Sequence, residues 1–509
     1  MNRLVLAFGI VCLLQGLSAA PQPEYGLSIS IKNSDKIANV VSAVASTVST
    51  FNIALYTPTS GYTKLTTTEG VLSDIIDALS DKIIPILSGY GSLVAANDGD
   101  VDTAFTSIIS AIGDAKDYLV GSEVTGFSTT LNGLNYDGIT DQFEDQLLRI
   151  KTGVANLETQ VLNVKDKITQ AVAAAGSDPV SDAILRSKLT LSDMYNFLEA
   201  ASNLKAYLPL YKYIIESTDD NVETADGYIN SLQGLLSSTA SAAISGYIGD
   251  IAEITSSIIT TLNSGFTEIY SAYSGIEDAV DDMPKTKAAT DYPALASILS
   301  LLTGTFADGA LSSIRSPFYM KVGAYMSAIG TFVTTKATPI VAKDNSLVQL
   351  LVDTLMGNLK YGRYCYHKYK DLVENLLSQG TDDGYLCVDK EYIRLLHLQD
   401  TLSLILDLLE FDYENIEAEL DVCESTGITV AQNNECIKAL TGYYEALQVA
   451  TEKKRDLVYK LASGEIVASK NRLLICMELV FIDFSVKQVD LLTDDLENCA
   501  ADGPTGTEE

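Results

Sequence analysis

The sequence contains no tryptophan, only two histidines and only eleven prolines among its 509 residues. Histidine is the side chain used most often for general acid–base catalysis, so His367 and His397 offer little to an enzyme of this size. No Gly-x-Ser-x-Gly elbow, phosphate-binding loop or dinucleotide fingerprint occurs either. We therefore expect a protein without enzymatic activity, and we predict no catalytic, cofactor-binding or metal-binding residue.

One short segment, Arg363 to His367, brings a cysteine close to a histidine. A pair formed by Cys365 and His367 could suggest thiol–imidazole chemistry. Side chains two positions apart on a helix point in different directions, however. A structural disulfide cysteine beside a surface histidine is therefore the favoured interpretation.

Positive charge is also scarce. The sequence contains 34 basic and 67 acidic residues, so its formal net charge is −33. Such a balance argues against binding to nucleic acid and to anionic lipid surfaces. The sequence has no Asn-x-Ser/Thr acceptor, so N-linked glycosylation is not expected. Beyond the N-terminal segment no uncharged apolar run reaches the length of a membrane helix, so we do not expect a membrane partner.

Residues 1–20 have the pattern of a secretory signal peptide. Arg3 precedes an apolar run from Leu4 to Leu17, and the small residues Ser18-Ala19-Ala20 follow. We predict cleavage after Ala19 or Ala20 and a secreted, extracellular protein without a membrane anchor. Cleavage removes Cys12 and leaves an even number of cysteines, which in an exported chain predicts disulfide bonds.

The front half of the chain shows helical periodicity. A break is predicted at 57–61, a capping box at Thr66 and Glu69, and a helix end at 218–221. The clearest helix, 141–172, carries apolar residues at alternating spacings of four and three. We favour packing inside a bundle of one chain, and self-association through the heptad helix 143–168 is the alternative. The heptad residues are Phe143, Leu147, Ile150, Val154, Leu157, Val161, Val164 and Ile168.

These patterns predict an all-α protein in successive parts. Residues 21–284 form a long-helix bundle, 285–345 a loose connector, 346–500 a cysteine-bearing helical domain, and 501–509 an acidic tail. In the cysteine-bearing domain, turn-like residues at 379–384, 425–427 and 463–464 separate four helical segments. Short links favour antiparallel neighbours, so we predict a disulfide-stapled, up-and-down four-helix bundle. Its second segment pairs an apolar face, Leu395 to Leu420, with an acidic, solvated face.

Six cysteines lie in this domain: Cys365, Cys387, Cys423, Cys436, Cys476 and Cys499. Neighbouring cysteines are too far apart in sequence for a typical zinc site. Cys423 and Cys436 flank one predicted link and are the easiest pair to close. A Cys476–Cys499 pair is disfavoured, because about 35 Å would separate the two on one helix. Pairing Cys365 with Cys476, which leaves Cys387 with Cys499, and a local Cys365–Cys387 pair both remain open.

The spaced cysteines on acidic amphipathic helices, over roughly Lys360 to Ala500, resemble the tsetse EP domain of insect secreted proteins. The Glu-Pro repeat that names that family is absent from this sequence. The resemblance implies an insect extracellular protein, often associated with the gut and with immune challenge. It implies no catalytic residues.

Two classes of function remain. The first is a secreted helical binding or structural protein with an unidentified protein or surface partner. The second is a membrane-active, pore-forming-like protein, suggested by the weakly charged stretch Ser237–Phe266. A bundle that carries an apolar ligand is a further alternative.

Overall fold

A computed structural model describes residues 24–51, 53–336, 341–425 and 429–504. Every regular element in these ranges is helical, which confirms the all-α class. The signal peptide predicted at 1–20 lies outside the described residues, as does most of the predicted acidic tail. The helices are α1 (Ser34–Ser49), α2 (Thr63–Ala95), α3 (Val101–Tyr118), α4 (Ser122–Gly133), α5 (Asp137–Ala175), α6 (Asp182–Lys188), α7 (Leu191–Asp281), α8 (Pro284–Ala288), α9 (Tyr292–Thr305), α10 (Asp308–Lys336), α11 (Ser346–Met356), α12 (Gly362–Glu424), α13 (Val430–Ile482) and α14 (Val489–Asp502). A 3₁₀ turn (Ala342–Asp344) precedes α11, and a π-helical turn (Asp483–Gln488) joins α13 to α14.

The chain divides into two compact units, each assembled from separate stretches of sequence. Unit 1 comprises Met1–Leu232, Val341–Val373 and Leu492–Glu509, and unit 2 comprises Gln233–Ile340 and Glu374–Leu491. The sequence predicted parts that follow one another along the chain, at 21–284, 285–345 and 346–500. In the structure, α7, α12 and α14 each supply residues to both units. The predicted cysteine-bearing domain is therefore shared between the two units.

Unit 1 is a helical bundle in which α2 packs against α1, α3 and α4, and α5 packs against α3, α4 and α6. The heptad residues of α5 line this core, and all of them except half-buried Leu147 are buried. The seam is thus used inside the chain, as the bundle interpretation predicts. Asp353 of α11 is held by Lys64, at 2.6 Å between Nζ and Oδ2, and by the hydroxyls of Tyr62 and Tyr136.

Unit 2 is built on four long helical segments, which belong to α7, α10, α12 and α13. Contacts between Tyr247 and Tyr385 and between Tyr273 and Tyr413 show that α7 and α12 run parallel. Contacts of α13 with α12, among them Tyr444 with Ile416, show that this pair is antiparallel. A disulfide-stapled bundle therefore exists, but its long helices are not the four segments that the sequence predicted.

The predicted helix end at 218–221 is wrong, because α7 continues through it from Leu191 to Asp281. The polar residues there serve a tertiary contact instead of a turn. Asp219 Oδ1 accepts a hydrogen bond from the backbone N–H of Tyr56 at 2.8 Å, and Asn221 is buried. The predicted capping box is also wrong: α2 already begins at Thr63, and Glu69 is buried within the helix.

The predicted turns at 379–384 and 463–464 are helical, because α12 and α13 run through them without a break. Gly384 explains the first error. A Cβ atom at Gly384 would press against the hydroxyl of Tyr247, so this glycine makes room for close helix packing and does not form a turn. Gly246 on α7 has the reciprocal relation to Tyr385.

Residues 285–336, predicted as part of a loose connector, form α8, α9 and α10 of unit 2. Helices α9 and α10 both pack against α13. Leu295, Leu299 and Leu302 of α9 are buried, as is Phe318 of α10. This region is therefore part of a packed core, and its prolines lie within helices: Pro293 in the first turn of α9 and Pro317 inside α10.

Candidate interaction surface

The six predicted cysteines form three disulfides. Cys365 is bonded to Cys499 in unit 1, and Cys387 is bonded to Cys476 in unit 2. Cys423 is bonded to Cys436, the pair that the sequence identified as easiest to close. All three bridges have Cα–Cα distances of 5.8 or 5.9 Å, which lie in the usual range for a disulfide. These bonds are compatible with an extracellular location.

Both alternatives left open for the other four cysteines are wrong, because α12 is a single helix. Cys365 and Cys387 lie 22 positions apart on it, about 33 Å, so they cannot pair locally. The other alternative, Cys365–Cys476 with Cys387–Cys499, exchanged the partners, because Cys476 bonds Cys387 and Cys499 bonds Cys365. The observed pairing is nested, first with last and second with fifth, as expected where a chain returns antiparallel to itself.

An ion pair between buried Glu391 and half-buried Arg472 lies beside the Cys387–Cys476 bridge. Glu391 of α12 is 2% exposed and accepts two hydrogen bonds from Arg472 of α13, from Nε at 3.0 Å and from Nη2 at 3.0 Å. Arg394 also contacts this carboxylate. Burial alone would raise the pKa of Glu391, but the contacts with Arg472, Ser469 and Arg394 hold it below its ordinary value. The Glu391–Arg472 ion pair therefore links α12 to α13 within unit 2.

A second buried carboxylate, Asp226 of α7, holds the extended segment 53–61 in unit 1. The backbone N–H groups of Thr59 and Ser60 donate to it at 3.0 and 2.9 Å, and the Tyr56 hydroxyl donates at 2.9 Å. Burial alone would raise the pKa of Asp226, but the hydrogen bonds from Ser60, Thr59 and Tyr56 lower it. Asn230 of the same helix also donates to this carboxylate at 3.0 Å, so both of its oxygens accept hydrogen bonds.

Glu69 lies close to Asp219 in the same unit and has a different electrostatic character. Burial raises the pKa of Glu69 to about 8, and the negative charge of Asp219 adds to the shift. Neither Glu69 oxygen receives a hydrogen bond from the residues that the structure describes. Burial and the nearby charge of Asp219 therefore both favour the protonated form of the Glu69 carboxyl group.

The structure places the candidate catalytic pair where it can do no thiol chemistry, because Cys365 is in a disulfide and His367 is exposed. His397 is exposed on α12. The tyrosines that cluster near the cysteines are divided. Tyr366, Tyr369 and Tyr444 are buried, whereas Tyr364 and Tyr443 are exposed.

An open acidic cleft of about 520 Å³ lies between α2 and α4 in unit 1. The carboxylates of Asp74, Asp77 and Asp81 follow one face of α2, and Glu123 faces them from α4. Burial raises the pKa of Tyr118, at the rim, to about 12, and the charges of Glu123 and Asp74 add to this. All four carboxylates are exposed, which is typical of a solvated acidic face.

The most unusual surface lies on α12 in unit 2, on the side of the helix away from the core. Six large apolar side chains there are each 53 to 64% exposed. At 100° per residue they fall within an arc of about 60° and extend over about 54 Å of helix. We call them the α12 stripe: Leu386, Ile393, Leu404, Leu408, Phe411 and Val422.

A shorter stripe follows the outer face of α13. Leu457, Leu461, Ile475, Leu479 and Ile482 are 41 to 63% exposed and share one side of the helix. Between them lie the small residues Gly464 and Ala468. Both long helices of the disulfide-linked pair are thus apolar on two faces, one buried and one exposed.

Sequence reasoning missed the α12 stripe because it assigned that side of the helix to a solvated acidic face. The predicted inner face is confirmed, since Leu395, Leu402 and Leu420 are fully buried. The outer face carries Asp407 and Glu414, as predicted, but Leu404, Leu408 and Phe411 stand between them. The signal was a second apolar set, offset by about half a turn from the first.

By length and composition, one segment of the described chain could cross a membrane: Tyr292–Thr335, which covers α9 and α10 and is only partly buried. Within the described ranges no three His, Cys, Asp or Glu side chains form a group that could hold a metal ion. The chain matches no protein-family model, no curated protein and no solved structure.

Proposed function

We propose that this chain is a secreted, non-enzymatic helical binding protein of insect extracellular fluid or gut, and that the α12 stripe is its binding surface. The observation that supports this most is the row of six large, half-exposed apolar side chains on a disulfide-linked helix pair. Large exposed apolar side chains that share one helix face on a soluble protein usually mark an interaction site, even where polar residues such as His397 and Asp400 lie among them.

The architecture suits such a role. Binding surfaces on rigid helices lose little conformational freedom when a partner binds. The bridges Cys387–Cys476 and Cys423–Cys436 and the Glu391–Arg472 ion pair fix α12 against α13 along the length of the stripe. The resemblance of the cysteine spacing to the tsetse EP domain supports an insect gut setting and a link to immune challenge.

The test is an affinity pull-down from insect gut extract, with the full mature chain as bait. Bait with Leu404→Glu and Leu408→Glu in α12 should lose its specific partners. Bait with Leu148→Glu should retain them, because Leu148 lies on α5 of unit 1 and is similarly exposed at 59%. Equal capture by all three baits would contradict the assignment of the α12 stripe.

Secretion has its own test. Expression in insect cells with the native N-terminus should place the protein in the medium, with a first residue of Ala20 or Pro21. Intracellular retention of an uncleaved chain would contradict the proposed export.

A membrane-active function is the second candidate, and one observation favours it: α9 and α10 together form the segment that is apolar enough to insert. The stretch proposed from the sequence, Ser237–Phe266, would also have to leave the core of unit 2 to insert, as α9 and α10 would. Its apolar side chains Tyr247, Ile251 and Ile258 are buried in the core of unit 2. Dye release from neutral and anionic vesicles tests this function, and leakage at low protein concentration would favour it over the binding protein.

The third candidate function is a carrier of apolar ligands, which needs a cavity large enough for the ligand. Two apolar cavities in unit 1 have volumes of about 10 and 20 Å³, lined by residues such as Ile75, Leu79, Val44 and Phe197. Sites for lipid-sized ligands usually measure several hundred Å³. These cavities are packing defects of the size of a single water molecule.

A further inference from the structure

We propose that Thr57 is a site of O-linked glycosylation, at which an N-acetylgalactosamine is joined to the threonine hydroxyl. The inference rests on the secretion that is part of the proposed function, because transferases of this class act on chains that pass through the secretory pathway. Three features support it: the extended conformation of segment 53–61, the freedom of the Thr57 hydroxyl, and the proline that follows this residue.

Segment 53–61 crosses the surface of α7 as an extended chain, and it contains no helical residue. The backbone N–H of Tyr56 donates to Asp219 at 2.8 Å. The backbone N–H of Ser60 donates to Asp226 at 2.9 Å, seven positions further along α7. Seven helical positions cover about 10.5 Å, which suits four extended residues, since four helical residues would cover only about 6 Å. An extended acceptor is what a transferase needs to reach a side-chain hydroxyl.

The hydroxyl of Thr57 is available on this segment. Thr57 is exposed, and its hydroxyl takes part in no hydrogen bond among the residues that the structure describes. By contrast, the Thr59 hydroxyl donates to Asp226 at 3.1 Å. The Ser60 hydroxyl accepts a hydrogen bond from the backbone N–H of Tyr62 at 3.3 Å. A transferase can therefore reach Thr57 without breaking a contact that holds the segment.

Pro58 restricts the backbone of Thr57. A residue that precedes proline is confined mainly to extended conformations, and O-glycosylated segments are typically rich in Ser, Thr and Pro. Two other hydroxyl residues in the sequence directly precede a proline, Ser316 and Thr338. Ser316 lies within α10, where the backbone is helical, and Thr338 lies outside the described residues. Thr57 is the residue of this kind that the structure places on an extended segment.

Exposed threonines on the helices differ from Thr57 in both backbone and hydroxyl. The hydroxyls of Thr67, Thr106 and Thr129 each donate to the carbonyl oxygen four positions earlier. This back-bonding is common for threonine in helices. A helical backbone also keeps these residues out of the extended form that a transferase binds.

The charges near segment 53–61 favour a neutral group at Thr57 over a phosphate. Asp219 and Asp226 both bind the backbone of the segment. Lys343 lies beside Gly61, about 13 Å along the extended chain from Thr57. A phosphate carries about −1.5 to −2 charges at neutral pH and would be repelled by the two carboxylates, whereas N-acetylgalactosamine is uncharged.

The sugar donor is a nucleoside-diphosphate N-acetylgalactosamine. The Oγ1 atom of Thr57 attacks C1 of the sugar, and the C1–Oγ1 bond forms while the bond from C1 to the diphosphate oxygen breaks. The nucleoside diphosphate leaves with the bonding electron pair, and the proton of the hydroxyl group is transferred to it. The reaction is a group transfer without oxidation or reduction.

Peptide mass spectrometry of the full chain, secreted from insect cells, provides the test. The tryptic peptide Ile37–Lys64 should carry an N-acetylhexosamine, and fragmentation that preserves the sugar should locate it on Thr57. An unmodified peptide, a sugar on another residue of this peptide, or a phosphate on Thr57 would each overturn the inference. A sugar on peptide Ala337–Lys343, which contains Thr338, with none on Thr57 would overturn it too.

Three variants separate the site from its surroundings. Thr57→Ala should lose the sugar from peptide 37–64, and Thr57→Ser, which keeps a hydroxyl, should retain it. The matched control is Thr125→Ala on α4, since Thr125 is exposed but its hydroxyl donates to the carbonyl of Ser122 at 2.9 Å. This control should leave the sugar in place. Equal modification of Thr57→Ala and the wild type would contradict the assignment.

A chain with residues 1–20 replaced by the signal peptide of another secreted protein separates this inference from the proposed secretion. If the native chain stays in the cell while the replaced chain is secreted and carries the sugar on Thr57, export fails and the site stands. If both chains reach the medium without the sugar, secretion stands and the site is overturned.

Discussion

Arg472 of α13 grips the buried carboxylate of Glu391 of α12 with two parallel hydrogen bonds, from Nε and Nη2. Arg472 also contacts Glu465, so it lies between two carboxylates. This arrangement raises the pKa of the Arg472 guanidinium above its ordinary value, first through the hydrogen bond to Glu391. A cation held in this way keeps α12 and α13 in one register along their contact.

Replacing Glu391 with glutamine should destabilise the protein strongly. Glutamine keeps the volume but removes the charge that compensates Arg472 and Arg394. Because both arginines are partly exposed, we expect a cost between that of a surface pair and the roughly 3 kcal/mol of a fully buried one. Urea denaturation followed by circular dichroism measures the change. The matched control is Asp145→Asn, which breaks the half-exposed pair with Arg149 and should cost less than about 0.5 kcal/mol. Equal effects of the two changes would contradict the role of the buried pair.

The disulfides should differ in their contributions to stability. Replacing Cys387 and Cys476 with serine opens a loop with a sequence separation of 89, and replacing Cys423 and Cys436 opens one of 13. Loop entropy predicts a loss of about 4.6 kcal/mol for the long loop and about 3 kcal/mol for the short one. Guanidinium unfolding of the two double variants measures the order. A larger loss for the Cys423–Cys436 pair would show that loop entropy does not dominate here.

How far the sequence predicted this structure depends on the residue. Apolar periodicity identified the buried faces of α5 and α12 correctly, because burial of a helix face leaves a regular pattern in one segment. Polar residues were misread wherever their partners lie far away in sequence. Asp219 looked like part of a turn and binds Tyr56, and Gly384 looked like a turn and makes room for Tyr247.

The disulfide pairs were likewise predictable from sequence only where the two cysteines are close together in the chain. A local rule identified Cys423–Cys436 because only a short link separates them. The nested pairing of the other four cysteines required α12 and α13 to be unbroken, and the misread glycines concealed that. The α12 stripe could not be recognised either, because its exposure depends on which face of the helix the rest of unit 2 covers.

Asp226 should be essential for the position of segment 53–61. Asp226→Asn removes the charge and turns an amide toward the N–H donors of Thr59 and Ser60, so we expect a loss of about 2–4 kcal/mol. Limited proteolysis should cut the variant within 53–61, while the matched control Asp220→Asn, exposed on the same helix, resists cleavage there. Because hydrogen bonding lowers the pKa of Asp226, its contribution is present above the unfolded pKa near 4 and is lost as pH falls through the folded pKa. Unchanged cleavage would contradict this role.

Glu69 should give the opposite dependence on pH. Its pKa is raised to about 8, so between pH 4.5 and 8 the folded chain binds a proton more tightly than the unfolded chain does. Stability therefore falls as pH rises through this window, by at most about 1.4 kcal/mol per pH unit, and the loss is complete above it. Glu69→Gln, which keeps the volume of the side chain and cannot ionise, should match the wild type near pH 4.5 and exceed it at pH 8. Thermal unfolding across this range measures the difference, and Glu123→Gln, an exposed carboxylate, serves as the control. Parallel pH profiles for the wild type and Glu69→Gln would show that the carboxyl at Glu69 is ionised in the folded chain.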